Sequence, residues 1–120
     1  MRIHVKLWIE NDRGKLLIGE GRSRIFEAIE RCGSLSGAAR ELGMSYRALW
    51  GKVHTTQDRL GSKLVEGVAG GPGHGGTTLT SEAQDIMARF TELERRSTEA
   101  VERIFRDLFP EEINRRGRGA

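Results

Sequence analysis

Residues 35–53 read LSGAARELGMSYRALWGKV and predict two short helices joined by a tight turn. Ser34 suits the N-cap of the first helix and Ser45 that of the second. The small pair Ala38-Ala39 lets another helix cross closely. Gly43 supplies a residue that tolerates a positive φ in the turn. These requirements together predict a helix-turn-helix, with an unrelated helical hairpin as the alternative.

The second of these helices has two unlike faces. The predicted inward residues follow a helical period and are Leu49, Val53, Thr56 and Leu60, after which Gly61 ends the helix. The predicted outward residues are mostly polar or long, and they are Tyr46, Arg47, Trp50, Lys52, His54 and Gln57.

A polar outer face on such a helix is typical of duplex DNA recognition, because an α-helix fits the major groove and its N-terminal side chains meet base edges. The residues predicted to read bases are Ser45, Tyr46, Arg47 and Trp50. Arg47 is suited to bidentate contact with guanine. For Trp50 an alternative remains open, in which the indole covers the edge of the core.

Contacts to the DNA backbone are predicted for a second group of polar and basic residues, namely Lys52, Thr55, Arg59, Lys63 and His74.

His74 lies in the glycine-rich segment 67–76, which allows three interpretations. The first is a loop that binds the phosphates of a nucleotide, but the segment lacks the Lys-Ser/Thr end of a P-loop and the GxGxxG spacing. It could be a flexible linker. The favoured interpretation is a β-wing tip between Leu64-Val65 and 77–79, because it directly follows a recognition-type helix.

The preceding residues predict an N-terminal β-hairpin and one more helix. Residues 3–9 alternate apolar and polar like a half-buried strand, residues 11–14 predict a turn, and residues 15–18 a returning strand. Residues 19–21 break the chain. The next helix is predicted from Ser23, with Gly33 at its end.

The last predicted helix runs from a capping box formed by Ser81 and Gln84 to Phe109, before Pro110. Its apolar residues step by three and four, which is the spacing of a coiled-coil seam. A stripe of this length predicts a homodimer, whose interface residues are Ile86, Phe90, Leu93, Ala100 and Ile104. Packing of the helix onto its own domain is the alternative.

Composition and charge exclude several classes of protein. The net charge is +3, with an excess of four positive charges in residues 1–81 and of four negative charges in residues 82–112. No apolar run is long enough to cross a membrane and no signal peptide is evident, so we expect a cytoplasmic protein. The three histidines and the single Cys32 lack metal-ligand spacing, and no catalytic grouping can be assembled. We therefore expect no metal, no cofactor and no enzymatic activity.

The chain resembles the N-terminal DNA-binding domain of the ModE family of molybdate-responsive regulators, which is itself similar to LysR-type winged helices. The resemblance rests on GSLSGAARELGMSYRALW at 33–50, LGSKLV at 60–65 and LTSEA at 79–83. It implies a winged-helix dimer, joined through the long C-terminal helix, that binds an operator near genes for molybdenum uptake or use. The family senses molybdate through a further C-terminal domain, so we do not expect residues 1–120 to bind molybdate.

Taken together, the sequence predicts an α+β, mainly helical fold. It comprises a winged helix-turn-helix with an N-terminal β-hairpin at 1–80, a long C-terminal dimerisation helix at 81–110 and a disordered basic tail at 111–120. The predicted function is sequence-specific binding of double-stranded DNA by a transcription regulator. Two alternatives are a protein-interaction module on the same scaffold, mildly favoured by the acidic helix, and a nucleotide-binding enzyme, disfavoured by the missing P-loop lysine.

Overall fold

The computed structural model describes residues 1–68 and 75–111. These residues form four helices and two antiparallel β-hairpins. In chain order the elements are β1 (Trp8–Glu10), β2 (Leu16–Gly19), α1 (Glu20–Cys32), α2 (Leu35–Leu42), α3 (Tyr46–Leu60), β3 (Val65–Val68), β4 (Gly76–Leu79) and α4 (Ser81–Leu108). The α+β, mainly helical class with a long C-terminal helix is confirmed.

The chain forms two compact units. The larger unit spans Trp8–Arg89 and holds both hairpins and helices α1 to α3. The smaller unit combines Met1–Leu7 with the chain from Phe90 onward, which includes most of α4. The predicted division at residues 80 and 110 stays a prediction, and residues 112–120 of the predicted tail lie outside the described residues.

The core of the larger unit is built from one face of each helix and the base of the second hairpin. Its buried residues recur at helical spacing because each helix can turn one apolar stripe inward. They are Ile25, Phe26, Ala28, Ile29, Ala38, Ala39, Leu49, Val53, Leu64, Val65, Leu79 and Ala83.

The helix ends around the turn follow the local chemistry of their residues. Ser34 Oγ accepts a hydrogen bond of 2.9 Å from Gly37 N, and Ser45 Oγ accepts one of 3.1 Å from Ala48 N. Gly43 has φ of 66° and its N–H bonds back to the last turn of α2. Such a left-handed C-terminal residue carries no steric penalty when it is glycine. The predicted caps and helix ends are confirmed.

Two N-terminal predictions are wrong. Helix α1 begins at Glu20, not Ser23; Gly19 serves as its extended N-cap, and Glu20 pairs with Arg24 one turn later. Strand β1 covers only residues 8–10, and all three are exposed, instead of a half-buried strand at 3–9. Residues 1–7 belong to the smaller unit, so the alternating pattern does not continue the hairpin.

The predicted capping box at Ser81 is also wrong, because Thr80 caps helix α4. Thr80 Oγ1 accepts from Ala83 N at 3.2 Å and donates to Lys63 O at 2.7 Å. Ser81 is the first residue of the helix, and its hydroxyl contacts Glu82 instead. The Thr80 hydroxyl joins the start of α4 to the loop before β3, a contact that the Ser81 hydroxyl does not make.

An ion pair joins α1 to α2. The Arg31 guanidinium binds both carboxylate oxygens of Glu41, at 2.9 and 2.7 Å. This hydrogen bonding raises the pKa of Arg31 and lowers the pKa of Glu41. Cys32 Sγ contacts the same carboxylate at 3.5 Å, and desolvation followed by this contact raises the pKa of its thiol. The Cys32 thiol and the Arg31 guanidinium therefore share one acceptor, the carboxylate of Glu41.

Candidate nucleic-acid interface

Helix α3 turns one face to the core and leaves the other free. Leu49, Val53 and Thr56 are buried, as the spacing predicted. Ser45 lies at the N-cap, where its hydroxyl oxygen is occupied by Ala48 N while its proton remains available to a ligand.

Two aromatic side chains stand on the exposed part of α3. Tyr46 is 51% and Trp50 46% exposed, and neither belongs to the core. The Trp50 indole stacks on the His54 imidazole with ring centroids 3.9 Å apart. His54 Nδ1 in turn lies 2.9 Å from the Trp50 carbonyl oxygen. Trp50 is not among the side chains that pack against the core, and its partly exposed indole contacts His54, so its role in base reading stays a prediction.

Three cations on α3 have no acidic partner. Arg47, Lys52 and Arg59 make no ion pair within residues 1–68 and 75–111. Arg47 and Lys52 are exposed, whereas Arg59 is half-buried and its Nη1 donates to Leu16 O in β2 at 2.9 Å. The positive charges on this helix are thus available to an anion from outside, although Arg59 also holds the first hairpin.

Gln57 does not belong to the outer surface as the sequence suggested. Its Oε1 accepts from Leu64 N at 2.9 Å and from Val65 N at 3.2 Å, at the start of β3. A buried N–H without an acceptor is costly, so this side chain has a structural role. The sequence did not indicate this role, because the spacing of Gln57 on a polar helix face does not show that its side chain will bond to the strand after the helix.

The second hairpin has the position and length of a wing. Strands β3 and β4 pair from Val65 opposite Leu79 to Val68 opposite Gly76. Thr77 N donates to Gly33 O at 2.8 Å, which ties β4 to the end of α1. A Cβ on Gly76 would lie 2.5 Å from the same carbonyl oxygen, so the close approach requires glycine. The tip, including predicted contact residue His74, lies outside the described residues.

The other predicted backbone-contact residues lie on α3 or between α3 and the second hairpin. Lys63 is exposed just before β3, beside the Thr80 contact, and Thr55 is half-buried on α3. The structure therefore brings Lys52, Thr55 and Arg59 together on one helix and places Lys63 at the wing. The half-buried Arg22, which sequence reasoning missed, donates from Nε to Thr56 Oγ1 at 3.1 Å.

The five predicted interface residues of α4 differ in exposure. Leu93 is 42% and Ile104 55% exposed, and Ala100 is half-buried between them on the same helix face. Ile86 packs against the core of the larger unit, and Phe90 is only 2% exposed in the single chain. The surface open to a partner is therefore the later part of the stripe.

Other kinds of site find little support in the described residues. No group of three or more His, Cys, Asp or Glu side chains there is arranged to hold a metal ion. None of the described helices combines the length and hydropathy that a membrane crossing needs.

Comparison with known families adds to this geometry. Residues 22–84, from early α1 to the start of α4, match the model of the bacterial regulatory helix-turn-helix proteins of the lysR family. The chain belongs to this family. The match includes α2, the turn, α3 and the β3–β4 hairpin, so the predicted helix-turn-helix and wing are those of a lysR-family regulator.

Curated relatives of this lysR-family chain carry molybdenum in their names, which agrees with the ModE resemblance. The molybdenum-pterin-binding protein MopA of Rhodobacter capsulatus is 39% identical over 84 residues, covering 70% of this chain and 32% of its own. The molybdenum transport protein ModE of Azotobacter vinelandii is 36% identical over 103 residues, covering 86% and 38%. The matched part is about a third of the length of each relative.

Comparison with a solved structure confirms the winged-helix architecture of this chain. The CbnR DBD–DNA complex superposes with a TM-score of 0.54 and 22% identity, covering 72% of this chain and 98% of that one. At this identity the likeness concerns the fold alone.

Proposed function

We propose that this lysR-family chain is a transcription regulator that binds double-stranded DNA sequence-specifically as a homodimer. The observation that carries the proposal is the outer face of α3, which holds the exposed Arg47, Tyr46 and Trp50 with unpaired positive charge beside a hairpin of wing length. A helix buried on one face and basic on the other fits the major groove.

Base reading is assigned to the first turns of α3. Arg47 has a free guanidinium that can donate two parallel hydrogen bonds to guanine O6 and N7. Ser45 and Tyr46 offer hydroxyl groups beside it. The Trp50 indole, held by His54, offers an apolar face for a thymine methyl group.

Backbone contacts are assigned to residues whose hydrogen bonds would anchor phosphates without reading sequence. The group is Lys52, Thr55, Arg59, Lys63 and His74. Lys52 and Lys63 are exposed and unpaired in the described chain, which supports their assignment.

The homodimer is assigned to α4, with the second copy as occupant of its apolar stripe. Exposed Leu93 and Ile104 with half-buried Ala100 form the accessible part of that stripe. Ile86 and Phe90 continue the same periodicity in the N-terminal part of α4. A two-fold dimer would present two copies of α3 to half-sites about 34–36 Å apart or multiples of that distance.

The regulated genes are proposed to serve molybdenum uptake or use, because the relatives MopA and ModE are named for molybdenum binding or transport. Molybdate binding is not assigned to residues 1–120. We further propose a cytoplasmic protein without enzymatic activity, in keeping with a family of regulatory proteins.

Selection of bound fragments from a genomic DNA library, at about 150 mM salt, tests the function directly. We expect a near-palindromic motif upstream of molybdenum-related genes. The Arg47→Ala variant serves as control and should recover a motif with one relaxed position in each half-site. Sequence-blind recovery that disappears as salt rises would contradict specific regulation and favour the protein-interaction module.

A further inference from the structure

Three cations from α1 and α3 gather on one side of α3. Arg22, Arg24 and Lys52 line an open groove of about 220 Å³, which lies between the start of α1, the end of α2 and the middle of α3. Arg59 lies near enough to Arg22 for their charges to repel. We call Arg22, Lys52 and Arg59 the triple-cation cluster.

The two guanidiniums of the cluster are oriented by neutral oxygens. Arg22 Nε donates to Thr56 Oγ1 at 3.1 Å, and that hydroxyl donates to Lys52 O at 2.8 Å. Arg59 Nη1 donates to Leu16 O at 2.9 Å. Each guanidinium therefore keeps further N–H donors that no described residue accepts.

The cluster lacks an acidic counter-charge in the described chain. None of its members forms an ion pair there, whereas neighbouring Arg24 is paired with Glu20. Burial, and then the charge of Arg59, lower the pKa of Arg22. Half-buried like charges without a partner are unfavourable, and a bound anion would relieve this cost.

The position of the cluster indicates which anion. Lys52 and Arg59 are seven residues apart and share one side of α3, at 100° per residue. Gln57, which holds the wing strand β3, lies about 140° around the helix from Lys52. The cluster and the wing therefore flank α3 on different sides, and a groove that receives the helix has a phosphate backbone on each side.

We propose that the triple-cation cluster binds a phosphate oxyanion of the DNA backbone, on the side of α3 away from the wing. This inference rests on the proposed function and adds Arg22, a residue of α1 outside the helix-turn-helix, to its contacts. Arg22 connects the other two members of the cluster, because it lines the groove together with Lys52 and lies close enough to Arg59 for the two charges to interact.

The test compares Arg22→Met with Arg89→Met in the full chain. The probe is a labelled random-sequence duplex of about 30 base pairs, titrated between about 50 and 200 mM salt. We expect Arg22→Met to weaken binding about tenfold and to reduce the slope of log affinity against log salt by about 0.9 per protomer. The control Arg89→Met lies on α4, outside the groove, and should bind like the wild type because Asp85 already neutralises that residue.

Two further variants separate charge from packing. Arg22→Lys keeps the charge and should retain the wild-type salt slope. Lys52→Met changes an exposed side chain, so it tests the cluster even where Arg22→Met does not fold, and its slope should also fall by about 0.9.

Several outcomes would overturn the inference while leaving the proposed function intact. One is a wild-type salt slope in both Arg22→Met and Lys52→Met. Another is a rise in wild-type Tm with inorganic phosphate at constant ionic strength, lost in Arg22→Met while DNA binding is unchanged, which assigns the cluster to free phosphate. A third is a loss of dimer mass in light scattering with unchanged slope, which assigns it to a carboxylate of the second copy. Failure of the wild type to bind duplex DNA would instead refute the proposed function.

Discussion

Helices α3 and α4 use their charges in opposite ways. On α4, Arg89, Arg95 and Arg96 each pair with a carboxylate three or four residues away on the same helix. On α3, Arg47 and Lys52 have no such partner in the described chain. Ion pairs within a helix lower its repulsion of a second copy, whereas free cations attract a polyanion.

The exposed apolar side chains of α3 and α4 also differ in kind. Exposed aliphatic residues on α4 include Leu93, Ile104 and Leu108, whereas α3 exposes the aromatic Tyr46 and Trp50 among polar neighbours. The comparison teaches that net charge alone is a poor guide to partner type. What matters is whether the charges are already paired and which apolar surface lies between them.

The largest effect is expected from a charge on the apolar stripe of α4. Leu93→Glu or Ile104→Glu should leave the protein monomeric, because a carboxylate would be buried without a partner at the dimer contact. Loss of the second half-site should lower operator affinity by about 100-fold or more. Light scattering and a binding titration measure both effects. Thr98→Glu, at an exposed polar position of α4, is the matched control, and a dimeric Leu93→Glu would contradict the division of roles.

On α3 the sharpest change is Arg47→Ala. Loss of a bidentate contact should cost about 1–3 kcal/mol of discrimination between the operator and a duplex with one altered guanine. Competition binding with the two duplexes measures this difference. Arg47→Lys keeps the charge without the planar fork, so it should retain more of the affinity for random DNA. Full operator preference in Arg47→Ala would remove this residue from base reading.

The base of the wing gives a stability prediction of similar or smaller size. Gly76→Ala places a Cβ against Gly33 O and disturbs the hydrogen bond from Thr77 N, so we expect a loss of about 1–3 kcal/mol. Thermal unfolding measures it. Gly67→Ala on the partner strand β3 has no atom within 4 Å of the new Cβ and serves as control. Equal Tm values for the two variants would show that the close approach is not required.

The smallest effect is expected from the ion pairs of α4 in acid. Hydrogen bonds from Arg95 and then Arg96 lower the pKa of Glu92 from its ordinary 4.5 to about 2. A depressed carboxylate pKa stabilises the folded state above pH 4.5, and this contribution is lost as the pH falls from 4.5 towards 2. Because the group is exposed, the change should be slight. Glu92→Gln should show a flatter Tm profile over this window than the wild type, and identical profiles would exclude the effect.

Much of the helix-turn-helix was predictable because its signals are local. Ser34 and Ser45 bond to backbone groups three residues away, and Gly43 satisfies the backbone conformation of its own turn. The inward face of α3 followed from helical period alone. The family membership and the winged-helix class expected from these residues are confirmed by the comparisons.

Tertiary structure decided what depends on residues far apart in the chain. Arg22 and Thr56 are 34 residues apart, and Arg59 and Leu16 are 43 apart, so no local spacing reveals the triple-cation cluster. The capping role of Thr80 and the short β1 likewise depended on which segments pack together. The sequence by itself determined the inward face of α3 and the caps at Ser34 and Ser45, because backbone groups three residues away supply the partners of those hydroxyls. The pairing of distant polar groups needed the folded chain, because only packing brings their atoms within hydrogen-bonding distance.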